Sequence, residues 1–188
     1  ETASENAVDG LFAPLFWMLL GAALWSGGNG LPAPWIPGPL SLAWAFKATS
    51  TLDSMLGYRR GRLRWLGTAG ARLDDVLTWL PCRLVVLSLP VAAGSPCRCW
   101  PWWRAALKEG AADPSPNAGV SQAAYAHAAG VRLGGVNRYP DGERHKPILA
   151  PEQPPADRAA VARILGLSDR LEGLWLLVSG ALMVALGP

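Results

Sequence analysis

The chain has 188 residues, enough for one domain with a sizeable core; 51% are hydrophobic and only 16% charged, against about 25% charged in ordinary soluble domains. Ten Trp and a positive mean hydropathy point toward a membrane. The net charge of +3 is scattered, with no long basic run or interleaved aromatics, which argues against a nucleic-acid partner.

The first residue is Glu1 rather than Met, and no basic stretch leads into a short apolar run and a cleavage site. "ETASENAVDG" reads as a helix already under way, so a missing N-terminal part is expected. Glu1, Glu5 and, less squarely, Asp9 follow i+4 spacing, with Asn6 beside them. Such a stripe needs a cation, a metal or water, or it is an exposed acidic face.

No charged side chain occurs from Gly10 to Phe46. Residues 11–25 form an apolar helical run, "SGGNGLPAPWIPGP" breaks it, and "LSLAWAF" resumes it. The segment reads as a helical hairpin, or as one span plus an interfacial piece, since a span needs about 20 apolar residues. Residues 47–75 then turn polar. Lys47, Thr51, Ser54 and Tyr58 recur at i, i+4, i+7 and i+11, one face of a helix. A cation and hydroxyls on one stripe suit a phosphate or carboxylate; the plainer reading is a solvated face at the membrane edge. Asp53 lies off the stripe and suits Mg²⁺ or an amine.

In "ARLDDVLTWLPCR", Asp74 and Asp75 are adjacent carboxylates near an apolar segment. They suit metal and substrate roles, or simply favourable charge at a helix start. Residues 76–97 are apolar again apart from Arg83, which either marks an end of the buried part or lines a polar interior. Three Cys, at 82, 97 and 99, make no even disulfide framework, and Cys97-x-Cys99 is too tight for the usual zinc spacing. They read as unpaired thiols. "CWPWW" reads as an interfacial Trp anchor, or as a platform for a stacking ligand.

Residues 104–172 form the longest polar part. "PSPNAG" is a turn by composition, Ser121 is expected to cap the helix "QAAYAHAAG", and His127 on that helix reads as packed or surface-facing rather than as a ligand. "LGG" reads as a Gly-rich turn beside a helix start, expected to leave bare backbone N–H groups that can cradle an anion, with Asn137 close by. "PILAPEQPPADR" leads into an amphipathic helix, and residues 173–188 form a last uncharged run, slightly short for a span. None of the familiar nucleotide or hydrolase loops, G-x-x-x-x-G-K-[ST], G-x-G-x-x-G or G-x-S-x-G, is present in the sequence.

Five strings occur in order: "ET-x-x-EN-x-x-DG-x-x-AP" (1–14), "K-x-x-x-TLDSM-x-GY" (47–58), "ARLDDV" with "P-x-R" (71–83), "SPNAG" (115–119) and "GV-x-LGG-x-N-x-Y" (130–139). Together they resemble the adenosylcobinamide-phosphate synthase family of cobalamin biosynthesis, called CbiB or CobD. The resemblance implies a mainly α, polytopic integral membrane protein of the cell membrane, with polar loops carrying the motifs. Residues 1–188 would be the C-terminal portion of one membrane-embedded synthase domain, with apolar segments at about 11–46, 76–97 and 173–188. It implies ATP and Mg²⁺, a corrinoid and an amino-alcohol phosphate as substrates, membrane lipid around the protein, and other cobalamin-pathway membrane enzymes as neighbours. The reaction joins a carboxylate of adenosylcobyric acid to (R)-1-amino-2-propanol O-phosphate or a related amino alcohol.

On that resemblance the catalytic candidates are Glu5, Asp9, Lys47, Asp53, Asp74 and Asp75, with Asp53, Asp74 and Asp75 as Mg²⁺ ligands. Lys47, Arg72 and Arg83 would meet phosphate oxygens; Asn6, Thr51, Ser54, Ser115, Asn117, Gly134, Gly135 and Asn137 would bind or orient substrate. The rival readings are a non-catalytic membrane scaffold and a transporter fragment, and an isolated piece can be inactive even where the whole protein is an enzyme. Single crossings at each apolar segment would put 47–75 and 104–172 on opposite faces. At least one incomplete crossing is therefore expected, unless some motifs are structural.

Overall fold

A computed structural model describes residues 1–26, 37–56, 64–139 and 142–186. Within them the chain is mainly helical. Helix α1 (Thr2–Ala7) runs through a π turn (Val8–Phe12) into α2 (Ala13–Ser26). Helices α3 (Pro39–Leu56), α4 (Arg64–Ala92), α5 (Cys99–Gly110) and α6 (Ala118–Ala129) follow. An antiparallel hairpin, β1 (Leu133–Tyr139) and β2 (Gly142–Leu149), precedes α7 (Arg158–Leu186).

The hairpin reading of 10–46 agrees with this order: α2 and α3 are separate helices packed on each other. The break at 27–36 lies outside the described residues, as do Gly57, Tyr58, Arg59 and Arg60. Among the described residues, two helical stretches are long and apolar enough to cross a membrane, Thr2–Trp25 and Gly67–Ala92. The last apolar run is not an element of its own. It continues the preceding amphipathic segment as α7, because no Gly-Pro break separates them.

The chain packs as two compact units. The first comprises Glu1–Val8 and Cys82–Leu174. Its centre is α6, buried from Gly119 to Ala126. The Ala side chains keep that helix thin, and α5 comes close to it where two glycines meet: a Cβ on Gly119 would lie 2.5 Å from the Gly110 carbonyl oxygen. Tyr125 is fully buried and hydrogen-bonds the Ser168 hydroxyl at 2.9 Å. Burial pushes its phenol up to about 12, with Ser168 pulling the other way. Gly130, left-handed at φ 64°, ends α6 with N–H bonds from the cap back to the last turn.

Two expectations are corrected here. Ser121 does not cap α6. The helix starts at Ala118 with Asn117 at the N-cap, and Ser121 donates within the helix to the Ala118 carbonyl. The Ser115 hydroxyl instead accepts from the Asn117 and Ala118 N–H groups, at 3.3 and 3.4 Å. Asp113 fixes that turn by accepting the Ser115 N–H at 2.9 Å. "LGG" is not a turn beside a helix start but the bulged beginning of β1. Gly134 has φ 81°, and a Cβ there would collide with the Pro147 carbonyl across the hairpin, so only glycine fits.

The second unit comprises Asp9–Pro81 and Trp175–Pro188. Pro81 lies inside α4 and has no N–H, which leaves the Leu77 carbonyl without its helical donor. The Trp17 indole N–H of α2 supplies one at 3.2 Å. Phe12 and Trp175 pack with ring centroids 5.2 Å apart, and Phe46 is buried on α3.

Candidate functional site

Residues of the first and last motifs meet in the first unit. The Glu1 carboxylate accepts the Gly134 N–H and the Asn137 side-chain amide, each at 2.9 Å, and pairs with the Lys146 ammonium at 3.1 Å. Burial opposes its ionisation, yet Lys146, Gly134 and Asn137 together outweigh that and hold the carboxyl below its usual range. The Gly134 N–H is therefore not bare: it is taken by the chain's own Glu1 carboxylate. Gly135 pairs with Lys146 across the hairpin. One turn on, Glu5 accepts the Gln122 amide at 3.1 Å, while Asn6 is exposed. The acids of the first motif thus have separate partners, and Asp9 falls in the π turn, where the i+4 spacing is interrupted.

Arg83 is buried. Its guanidinium donates to the Asn117 side-chain oxygen and, at 2.8 Å, to the Pro116 carbonyl. Of the two expectations for it, a polar interior is the one realised. Together with the Ser115 cap and the Gly119 contact, this makes "SPNAG" a brace that sets where α6 begins.

The second unit gathers the other polar candidates on α3 and α4. The two helices approach at Gly70, whose position lies 3.8 Å from the Asp53 backbone nitrogen when a Cβ is built on it. Asp53 is half-buried; burial first, and then the nearby Asp75, push its carboxyl above the ordinary range. Asp74 lies within electrostatic reach of Asp53, Asp75 and Lys47. One of its oxygens is buried without a hydrogen-bond partner, as is the Thr78 hydroxyl one turn on. Lys47, Thr51, Ser54 and Arg72 are exposed. The Thr51 and Ser54 hydroxyls donate to the carbonyls of Lys47 and Ser50, which leaves their oxygens able to accept. Below this face is a small apolar cleft of about 220 Å³ between Thr49, Leu52, Leu56, Ala69, Gly70 and Leu73.

Asp74 and Asp75 are neighbouring carboxylates, one with an orphaned buried oxygen, and offer a cation one or two ligands rather than three. Among the described residues no three His, Cys, Asp or Glu already form a metal cage. Mg²⁺ does not need one, since it keeps several waters and takes one or two carboxylates with substrate phosphates.

The family model described as CobD/Cbib protein matches residues 1–168. The chain belongs to the CobD/CbiB family. It is 43% identical over 184 residues to "Cobalamin biosynthesis protein CobD" of Synechocystis sp., covering 98% of this chain and 50% of that protein. It is also 43% identical over 158 residues to "Cobalamin biosynthesis protein CbiB" of Salmonella typhimurium, covering 81% of the chain and 43% of the relative. The Yersinia enterocolitica CobD is 36% identical over 195 residues, 99% of this chain and 51% of its own. The chain spans about half the length of the curated relatives it matches. No solved structure matches it.

For a CobD/CbiB chain, two groups of motif residues are thus brought together: Glu1, Gly134 and Asn137 in one unit, Lys47, Asp53, Asp74 and Asp75 in the other. Sequence reasoning missed Lys146, Gln122, Glu109 and Glu152. Gln122 carries the one local signal, an amide on a helix otherwise rich in Ala. Nothing near Lys146 or Glu109 in the sequence marks them, because their partners are far along the chain.

Proposed function

We propose that this CobD/CbiB chain serves cobalamin biosynthesis as part of a membrane-embedded synthase. The reaction is ATP-dependent amide formation between adenosylcobyric acid and (R)-1-amino-2-propanol O-phosphate or a related amino alcohol, giving adenosylcobinamide phosphate. The observation that carries this reading is the Lys47, Asp53, Asp74 and Asp75 face in a chain of this family.

A carboxylate does not accept an amine until its oxygen becomes a leaving group, so ATP must first convert it to an acyl phosphate or a similarly activated species. Phosphoryl transfer depends on positioning and on neutralising charge. Exposed Lys47 and Arg72 supply that charge to phosphate oxygens, and Thr51 and Ser54 offer hydroxyls beside them. Asp53, whose raised carboxyl holds a proton more readily than an exposed one, takes the proton from the attacking amine. Asp74 and Asp75 would hold Mg²⁺, which when bound screens the triphosphate. A membrane setting is supported by the exposed Leu20, Leu24, Trp25, Leu40 and Trp44 on α2 and α3, and by Leu177 and Val184 on α7.

The test is complementation of a bacterium lacking its own synthase, with the full-length gene, in medium supplying cobyric acid. Growth restored by wild type and lost with Asp53→Asn or Asp74→Asn supports the assignment. Growth only with added cobinamide, with the protein present in the membrane, would overturn it and favour the scaffold reading.

A further inference from the structure

The hydroxyls of Thr49, Thr51, Ser54, Ser88, Ser168 and Ser179 each donate to the carbonyl four residues back in their helix, a common resting place for a helical hydroxyl. Thr78 departs from this pattern. The residue is 1% exposed, and its hydroxyl oxygen has no hydrogen-bond partner. One turn earlier on α4, a carboxylate oxygen of Asp74 is also buried without a partner. A buried polar group left unpaired is costly, and a charged one more so. Both residues lie in the stretch of α4 that is long and apolar enough to cross a membrane, where polar groups are rare and tied to function.

Residues 74 and 78 stand at i and i+4, so they share one face of α4. Helical side chains lean toward the N-terminus, which carries the Thr78 side chain over the turn that holds Asp74. The two oxygens are not bonded to each other. A water would satisfy both atoms but not the charge around them, since Asp53 and Asp75 lie within electrostatic reach of Asp74. A hard cation answers both needs. It takes oxygen ligands, and a hydroxyl beside a carboxylate recurs as its holder in phosphoryl-transfer sites. Asp74 is only partly buried, so the pair is reached from the surface.

We propose that the Thr78 hydroxyl is a further ligand of the divalent-cation site at Asp74. This rests on the reading of Asp74 as a Mg²⁺ residue and extends it by one residue. One or two carboxylates leave the ion short of protein oxygens. Thr78 adds a neutral oxygen from the buried side, without further negative charge. The remaining positions stay open for water and for substrate phosphate oxygens, as Mg²⁺ sites require.

The experiment is titration of the purified full-length protein in detergent with Mn²⁺, standing in for Mg²⁺, followed by loss of the free-ion signal in electron paramagnetic resonance. Wild type, Thr78→Val, Thr78→Ser and Asp74→Asn are compared. Thr78→Val is expected to bind about tenfold more weakly, the scale of loss when one group of a metal site is removed. Thr78→Ser keeps the hydroxyl and should bind within about twofold of wild type, while Asp74→Asn should lose more than Thr78→Val. Without metal, Thr78→Val should melt no lower than wild type, because Val keeps the shape and removes a hydroxyl that has no partner. A lower metal-free melting temperature would show that the hydroxyl has a structural partner and overturn the proposal. Mn²⁺ affinity unchanged in Thr78→Val overturns it too, as does binding equally weak in Thr78→Ser, or no saturable binding to wild type. Complementation reads the reaction separately. Binding through Asp74 and Thr78 without growth on cobyric acid keeps the site and removes the reaction; growth with binding indifferent to Thr78 does the reverse.

Discussion

Replacing Arg83 with Met separates a structural Arg83 from a substrate-binding one. Arg83 is 8% exposed and donates to the Asn117 side-chain oxygen and the Pro116 carbonyl. Hydrogen bonds to a charged group contribute about 1.5–3 kcal/mol each, and both partners of Arg83 are neutral oxygens. Met keeps most of the apolar stem but removes the guanidinium donor from the buried Asn117 side chain and from the Pro116 carbonyl. Loss of the two bonds is therefore expected to cost about 3–5 kcal/mol. The assay is urea unfolding of the purified chain in mild detergent, with hydrogen exchange at the Ala118–Gln122 amides as a local readout. Those amides should lose protection, because the turn that starts α6 is no longer braced. Arg83→Lys should recover only part, since an ammonium lacks the planar fork that reaches both acceptors. Stability within about 1 kcal/mol of wild type, below the contribution of a single such bond, together with weakened ATP use, would refute this reasoning and return Arg83 to the phosphate site.

Asp53→Asn should abolish complementation yet leave the chain at least as heat-stable as wild type at neutral pH. The Asp53 carboxyl is raised above its ordinary 3.8 in the folded chain by burial and then by Asp75. Its favourable contribution is present below that value and is lost as pH rises through the folded one; a lower melting temperature for the variant at pH 7 would contradict this. Glu1 behaves in the opposite sense. Its carboxyl is held below the ordinary 4.5, so its contribution is present above that value and fades as pH falls. Glu1→Gln should flatten the acid side of the stability–pH curve, and an unchanged acid limb would count against the Lys146 pairing. Gly119→Ala puts a Cβ 2.5 Å from the Gly110 oxygen and 2.6 Å from the Asp113 Cβ. Because a neighbour is backbone, the cost belongs at the upper end of the roughly 1–3 kcal/mol of overpacking, read as a lowered unfolding midpoint. Trp17→Phe should cost about 1 kcal/mol through the Leu77 carbonyl. That cost should disappear in a Pro81→Ala background, where residue 81 supplies its own N–H; an equal cost in both backgrounds would show that the indole acts by packing.

Much of the helical layout was legible locally. The uncharged stretch up to Phe46, broken by Gly and Pro, announced a pair of apolar helices, and Lys47, Thr51 and Ser54 announced a polar helical face. Both readings rest on the helical period and on the lack of charge, which neighbouring residues express by themselves. The hairpin at Leu133–Leu149 was not legible as a hairpin. Adjacent glycines look like a turn, and only the close approach of Pro147 shows that Gly134 is a bulge in a strand. The cap of α6 was placed at Ser121 for a related reason: several hydroxyl and amide residues stood near the helix start, and the Asp113–Ser115 turn selected among them.

The sequence by itself determined the family, through five ordered strings whose side-chain identities needed no structure, and the places where apolar helices begin to form. Tertiary structure decided what the polar residues do. Glu1 meets Gly134 across 133 positions, Arg83 meets Asn117 across 34, and Glu109 meets His127 across 18. A donor or carboxylate carries no mark of a distant partner. Its desolvation is offset only where folding brings a complementary group within hydrogen-bond distance, and that choice is made by the packing of whole helices rather than by any local stretch of sequence.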